Sequence, residues 1–352
     1  MLYEMKNIIL LVFIVPLFTC AQSAKKYLKL GNQKLDSAKY QEAEAFYTQA
    51  IALNPKFEEA YYQRGQARFL MAHYNDAYAD LSVVINMDPK SIDAYLARAR
   101  VELVYTFKTK DYSQIIADYS RVIALDPDNE IAYQGRALAE RSEENYAGCI
   151  ADYSQLIRLN KKNYVAFANR ASAKSALKDF NGAIEDYTSA LEIDKIHPWI
   201  YYNAIGLVKL GMKDIKGAIE SYNKAIAIKP DGSLYVNRAN AELLLGDYKS
   251  SVDDYTTELT LFTEDKSVKN DTFKAYIFRG RGKAKAAGGD YEGAISDYNS
   301  AITINPELKD AFSARGDAKK QLGDTTGACA DWHKALNLGY KPAMDNVSKY
   351  CK

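Results

Sequence analysis

A stretch of about 34 residues is copied along most of this chain, and a period of that size is the signature of a helix–turn–helix array. Its cleanest copy is AFANRASAKSALKDFNGAIEDYTSALEID, from Ala166 to Asp194. The next copy is WIYYNAIGLVKLGMKDIKGAIESYNKAIAIKP, from Trp199 to Pro230. An earlier one, AYYQRGQARFLMAHYNDAYADLSVVINMDP, runs from Ala60 to Pro89. One such unit cannot bury its own apolar face, so it is stable only when stacked on its neighbours. The apolar positions follow helical spacing with no strand-like alternation, so the chain reads as all-α.

Nine copies can be laid out, each a helix A, a short turn and a helix B. They begin near Ala24, Glu58, Ile92, Glu130, Ala166, Trp199, Gly232 and Lys309, with the eighth copy, which reaches Asn305-Pro306, between the last two. The third carries about four extra residues around Tyr105–Lys110, judged against the common period. A polar insertion, Lys266–Thr272, precedes the eighth. Small residues such as Ala43, Ala183, Ala218 and Ala294 let helix B approach helix A closely. Tyr119, Tyr153, Tyr187, Tyr222 and Trp332 fill the space between successive copies. Asp-Pro or Asn-Pro ends helix B, because a residue before proline avoids the helical region. Gly246-Asp247-Tyr248 makes the turn between A and B. A final helix from about Lys341 to Tyr350 caps the array, with Pro342 suited to its first turn.

These Gly/Ala, Tyr, Ala and Pro positions resemble tetratricopeptide repeats over nearly all of residues 24–340. The resemblance implies an all-α, right-handed superhelical solenoid of about nine repeats plus the capping helix. It also implies a concave face, lined by the A helices, that binds peptides or protein partners. The end of the array, GACADWHKALNLGYKPA (Gly327–Ala343), resembles the short α-helical repeats of secreted bacterial proteins. The expected organisation is a leader over 1–22, the repeat array over 23–340 and the cap over 341–352.

The leader reading rests on Lys6, the apolar run Ile8–Phe18 and Thr19-Cys20-Ala21-Gln22. A basic start, a short apolar core and small residues describe an export signal. Met5-Lys6-Asn7 resembles a bacterial signal start, which makes Met5 a candidate initiator. Cleavage after Ala21 gives a simple secreted protein. Cleavage before Cys20 gives a lipid-anchored one, with Leu17 favourable and Phe18 and Thr19 unfavourable for that outcome. Either way the chain is expected in the periplasm or cell envelope, touching membrane only through Cys20.

Forty-six Lys and Arg balance 45 Asp and Glu, so no electrostatic argument favours nucleic acid or an anionic surface. No HExxH, CxxC or phosphate loop is present, and His73, His197 and His333 lie in different repeats. The glycines Gly280, Gly282, Gly288 and Gly289 follow no strand. The expectation is therefore no catalysis, no metal and no cofactor. The sequons at Asn270 and Asn346 read as chance.

Two regularities remain. Arg64, Arg98, Arg136, Arg170, Arg238, Arg281 and Arg315 share one helix-A position, and Asp80, Asp118, Asp152, Asp186, Asp254, Asp297 and Asp331 share one helix-B position. The first and sixth repeats have Leu30 with Phe46 and Ile205 with Ser221, losing both partners together. Pairing across repeats would strand Arg64, Arg238 and Asp186, so an ion pair within each repeat is expected. A ladder of ligand-binding arginines would not require the Asp to vanish with the Arg. Asn169, Asn203 and Asn237 recur at one spacing on three A helices, with Gln63 and Gln134 as earlier counterparts. An amide both donates and accepts, so these five side chains can clamp an extended peptide backbone. The competing reading is that they bridge neighbouring A helices.

Among the cysteines, Cys149 replaces the small helix-B alanine and reads as a buried thiol. Cys329 lies early in the last B helix and Cys351 at the end of the cap. In antiparallel helices about nine residues up and ten back, at 1.5 Å each, bring them level. An exported protein keeps such a bond, so a Cys329–Cys351 disulfide is expected.

Overall fold

The computed structural model describes residues 22–109, 111–264 and 271–351. These residues form helices joined by turns, with no strand among them. They fall into two compact units that meet between Ala173 and Lys174. The first contains α1 (residues 22–36), α2 (Tyr40–Leu53), α3 (Glu58–Leu70), α4 (Tyr74–Met87), α5 (Ile92–Thr109), α6 (Ser113–Leu125), α7 (Glu130–Ser142) and α8 (Tyr146–Leu159). Helix α9 (Tyr164–Ala176) contributes all but its last residues to that unit. The second contains α10 (Phe180–Ile193), α11 (Pro198–Gly211), α12 (Ile215–Ile228), α13 (Gly232–Leu245), α14 (Tyr248–Glu264), α15 (Asp271–Ala287), α16 (Tyr291–Ile304), α17 (Lys309–Gln321), α18 (Thr325–Asn337) and α19 (Ala343–Tyr350). Odd-numbered helices are the A helices and even-numbered ones the B helices, with α19 as the cap. Residues 1–21 of the leader, Cys20 among them, lie outside the described residues, as does Asn270. No described helix is long and apolar enough to cross a membrane.

Local chemistry sets each turn. Gly246, Gly289 and Gly323 end their A helices in the left-handed region that glycine enters freely. Ala38, Ala72, Glu144, Lys178 and Lys213 hold the same bend with φ between 55° and 65°. The turn is therefore imposed by packing rather than by glycine. The next residue caps helix B: Asp179, Asp214, Asp290 and Asp324 each accept from the backbone N–H three residues on. Helix B ends on Asn54, Asp88, Asp126, Asn160, Asp194 or Asn305, each in extended conformation. Asn160 and Asp194 do this with no proline behind them. What the six share is a side-chain oxygen accepting from the backbone N–H two residues on. That Asx turn, more than the proline, stops the helix.

The described residues of the two insertions are helical. The extra residues of the third repeat lengthen α5 to 18 residues, against 13 in α3. The eighth repeat starts at Asp271, so Asp271 and Thr272 belong to α15, and residues 265–270 lie outside the described ones.

Packing follows the period. Ala43, Ala77, Ala183, Ala218 and Ala294 are fully buried, as the close approach of B to A requires. Tyr47, Tyr153, Tyr222, Tyr255 and Trp332 are the large side chains almost wholly removed from water. A Cβ at Gly316 would stand 2.8 Å from Nε1 of Trp332, so the indole lies flat on the A helix only because that position is glycine. Trp332 also stacks on Tyr350 of the cap, with centroids 5.8 Å apart. Removing that ring should cost about 3–5 kcal/mol.

Candidate functional site

The Arg–Asp regularity is a set of structural forks. In six repeats Nε and Nη2 of the arginine donate to the two carboxylate oxygens of the same repeat's aspartate. The aspartates are nearly buried, from 2% exposed at Asp118 and Asp152 to 6% at Asp254. Arg170 and Asp186 belong to different units; in the second unit Lys174 lies 2.8 Å from Asp186. Two features were invisible in the pairing pattern. Nη1 reaches back to a small polar side chain on the preceding B helix: Thr48, Ser82, Ser120, Ser154, Asn223, Thr256 or Asn299. Each arginine thus ties its own repeat together and stitches it to the previous one. The residue four beyond the arginine then divides the repeats. Arg68, Lys285 and Lys319 add a second cation to the aspartate. Glu102, Glu140 and Glu242 hold that place in the third, fourth and seventh repeats. Burial raises all three, Glu242 to about 8.

The five amide positions are brought together only in part. Asn237 Nδ2 donates to Asn203 Oδ1 at 2.9 Å, joining α13 to α11. That is the inter-helix bridge, yet it leaves the Asn203 amide hydrogens and the Asn237 carbonyl oxygen open. Asn169 lies in the first unit, where it donates to the Val165 carbonyl and accepts from Arg141 at 3.4 Å. Gln63 is half-buried and Gln134 exposed, both also in the first unit. Gln134 stands two residues ahead of Arg136, so Gly135 occupies the place that Gln63 has ahead of Arg64. Around the amides of the second unit, large apolar side chains stand in water. Ile200 is 50% exposed, Leu207 50% and Leu244 66%. Ile200, Asn203 and Leu207 follow at i, i+3 and i+7, which puts them on one stripe of α11.

Farther along the same unit, α13, α15 and α17 enclose a cavity of about 650 Å³. Its wall holds Tyr255, Tyr276, Tyr291, Tyr298 and Tyr340, the amides Asn240 and Gln321, and the charges Arg279, Lys283, Asp310 and Asp317. Small residues make the room: a Cβ at Gly280 would stand 2.5 Å from the Tyr255 ring. Tyr255 donates to Asn240 at 2.9 Å, and Arg279 lies over the Tyr276 ring while pairing with Asp310. Asp317 receives Trp332 Nε1 at 2.9 Å and Asn346 Nδ2 at 2.8 Å, both on Oδ1. The spacing pattern pointed to the fifth to seventh repeats; this recess lies in the seventh to ninth. No motif marked it, because the recurring helix-B tyrosines read only as packing, and the helix-A residues beside them differ from repeat to repeat.

Cys329 and Cys351 are bonded, with Cα atoms 5.5 Å apart, and pin α19 to α18. Cys149 is a buried free thiol, pushed up to about 11 by burial. Among the described residues no group of three or more His, Cys, Asp or Glu side chains could hold a metal ion.

Sequence models of the tetratricopeptide repeat match residues 24–57, 164–197 and 201–231, and a further TPR-repeat model matches 282–323. The chain therefore carries tetratricopeptide repeats. Among solved structures it is similar to the Cut9–Hcn1 hetero-tetramer of APC/C, at 14% identity and a TM-score of 0.52 over 89% of this chain. It spans 59% of the length of that chain. It is also similar to YrrB, described as a TPR protein with an unusual peptide-binding site, at 20% identity and a TM-score of 0.45, over 56% of this chain and 97% of the other. Yeast Tom70 matches at 10% identity and a TM-score of 0.46, over 94% of this chain and 96% of the other. At these identities the likeness is one of fold. No curated protein matches the sequence.

Proposed function

We propose that this array of tetratricopeptide repeats is a non-enzymatic scaffold that holds a segment of a partner polypeptide along the A helices of its second unit. The observation that carries the reading is the stripe of exposed Ile200, Leu207 and Leu244 beside the Asn203–Asn237 bridge. Apolar side chains held in water next to open amide valences suit a chain that offers both side chains and backbone. An extended peptide supplies a carbonyl for Asn203 and an N–H for Asn237 at intervals that do not depend on its sequence. The apolar stripe then adds area. With the leader sequence, the setting is the bacterial cell envelope, as a secreted protein or, if Cys20 carries lipid, as an anchored subunit of a larger assembly. A role as an accessory subunit of an enzyme ranks last, because the feature that carries the reading is a binding face rather than a catalytic constellation.

Affinity purification from native envelopes followed by mass spectrometry identifies the partner. Calorimetry then compares the wild type with Asn203→Ala and Asn237→Ala combined. Net hydrogen-bond contributions of about 0.5–1.5 kcal/mol each predict about five- to a hundred-fold weaker binding. Thermal melts run alongside. Unchanged affinity moves the contact surface elsewhere, and a large fall in melting temperature assigns the amides to helix bridging alone.

A further inference from the structure

We propose that the cavity between α13, α15 and α17 is a subsite for one cationic side chain, lysine or arginine, of the bound polypeptide, with Asp317 as its counter-charge. This rests on the scaffold reading and names the ligand chemistry at one end of the same face. The charges in the recess are unequally committed. Arg279 is held by Asp310. Asp297, behind the wall, is held by Arg281 and Lys285. Asp317 has no cation: its Oδ1 is oriented by the neutral donors Trp332 and Asn346, and its Oδ2 has no partner among the described residues. Lys283, one repeat earlier at the matching position, forms no ion pair among the described residues and extends into solvent.

The field at the base of the cavity agrees. Burial first of all holds the proton on the Tyr298 hydroxyl, and three carboxylates, Asp317, Asp297 and Asp310, add to it against one opposing cation, Arg279. Burial also pushes the Asp317 carboxyl above its ordinary range, against the pull of its two donors. Asp317 stays open to solvent on the cavity wall, and a carboxylate whose orientation is fixed in advance gains from an incoming ammonium or guanidinium because little further ordering is needed. The tyrosine rings around it add faces that attract a cation. Tyr340, in the turn before the cap, lines the outer wall. Arg279 and Asp310 neutralise each other, so an acidic ligand residue would meet Lys283, exposed at the wall, and be opposed by Asp317.

The test selects random short peptides on the full chain and reads the sequences that survive. The expected result is a shared lysine or arginine, whose replacement by norleucine weakens binding by about tenfold or more. Asp317→Asn keeps the acceptor for Trp332 and Asn346. It should weaken the parent peptide by a similar factor and leave the norleucine peptide unchanged, which isolates the pair. Lys283→Ala should not lower affinity. Peptides that share an acidic residue, and lose affinity in Lys283→Ala but not in Asp317→Asn, overturn the cation assignment while keeping the scaffold reading. Peptides that share no charged residue and bind Asp317→Asn normally overturn it too. Selection of no peptide at all removes both.

Discussion

Removing one arginine fork from the fourth repeat should cost far more than removing its counterpart from the ninth. In the fourth, Arg136 donates to Asp152 at 2.9 and 2.6 Å, and to Ser120 at 3.0 Å. The Asp152 side chain is 3% exposed and that of Arg136 is 21% exposed. Arg136→Ala leaves Asp152 buried without a cation beside Glu140, whose Oε2 already lacks a partner. Breaking a buried pair from one side costs about 3–5 kcal/mol, and partial access of water places this case near the lower figure. In the ninth repeat Lys319 Nζ stands 2.9 Å from Asp331, so Arg315→Ala leaves that carboxylate one cation. The loss there should be about 1–2 kcal/mol, that of the hydrogen bonds alone. In units of this size each kcal/mol moves the melting temperature by about 2–4 °C. Repeat arrays need not unfold in one step, so hydrogen exchange at α7 and α8 should accompany the melts. The gap between the two variants should narrow on acidification, because Glu140, raised by burial, then takes up a proton and stops repelling Asp152. Arg136→Leu with Asp152→Phe copies the Leu30 and Phe46 of the first repeat and should restore most of the loss. Equal losses in the two repeats, or a double variant no better than the sum of the singles, refute the account of the forks.

Reduction of Cys329–Cys351, or Cys329→Ser with Cys351→Ser, should lower stability by about 3 kcal/mol, read from melts with and without reductant. It should also loosen the Asn346 contact to Asp317, which hydrogen exchange in α19 detects. Burial raises Glu242 to about 8 and Glu258 to about 7, from 4.5 when unfolded. The folded state therefore binds these protons more tightly. Their contribution is full below about pH 4.5 and is lost as pH rises toward 8, and Glu242→Gln should flatten the denaturation midpoint across that window. Cys149, buried and raised to about 11, should react with thiol reagents no faster than its unit opens.

The period alone settled the repeat unit and the antiparallel helix pairs, because a copied stretch displays the separation of its contacting positions directly. The cap and the Cys329–Cys351 bond came instead from counting helix rise at the end of the array. The joint loss of arginine and aspartate at Leu30/Phe46 and Ile205/Ser221 exposed the ion pairs for the same reason. Tertiary structure decided what the repeat does not copy. The stitch from each guanidinium to the preceding helix uses Thr, Ser or Asn indifferently, since any small polar acceptor serves. The bend at Lys178 or Glu144 carries no glycine, because packing on both sides holds a backbone that the residue alone would avoid. The cavity at Asp317 is assembled from side chains of three A helices, tyrosines of α14 and α16, and Tyr340 before the cap. The period puts Lys283 and Asp317 at matching positions, but only the stacking of the helices brings these charges and rings around one space.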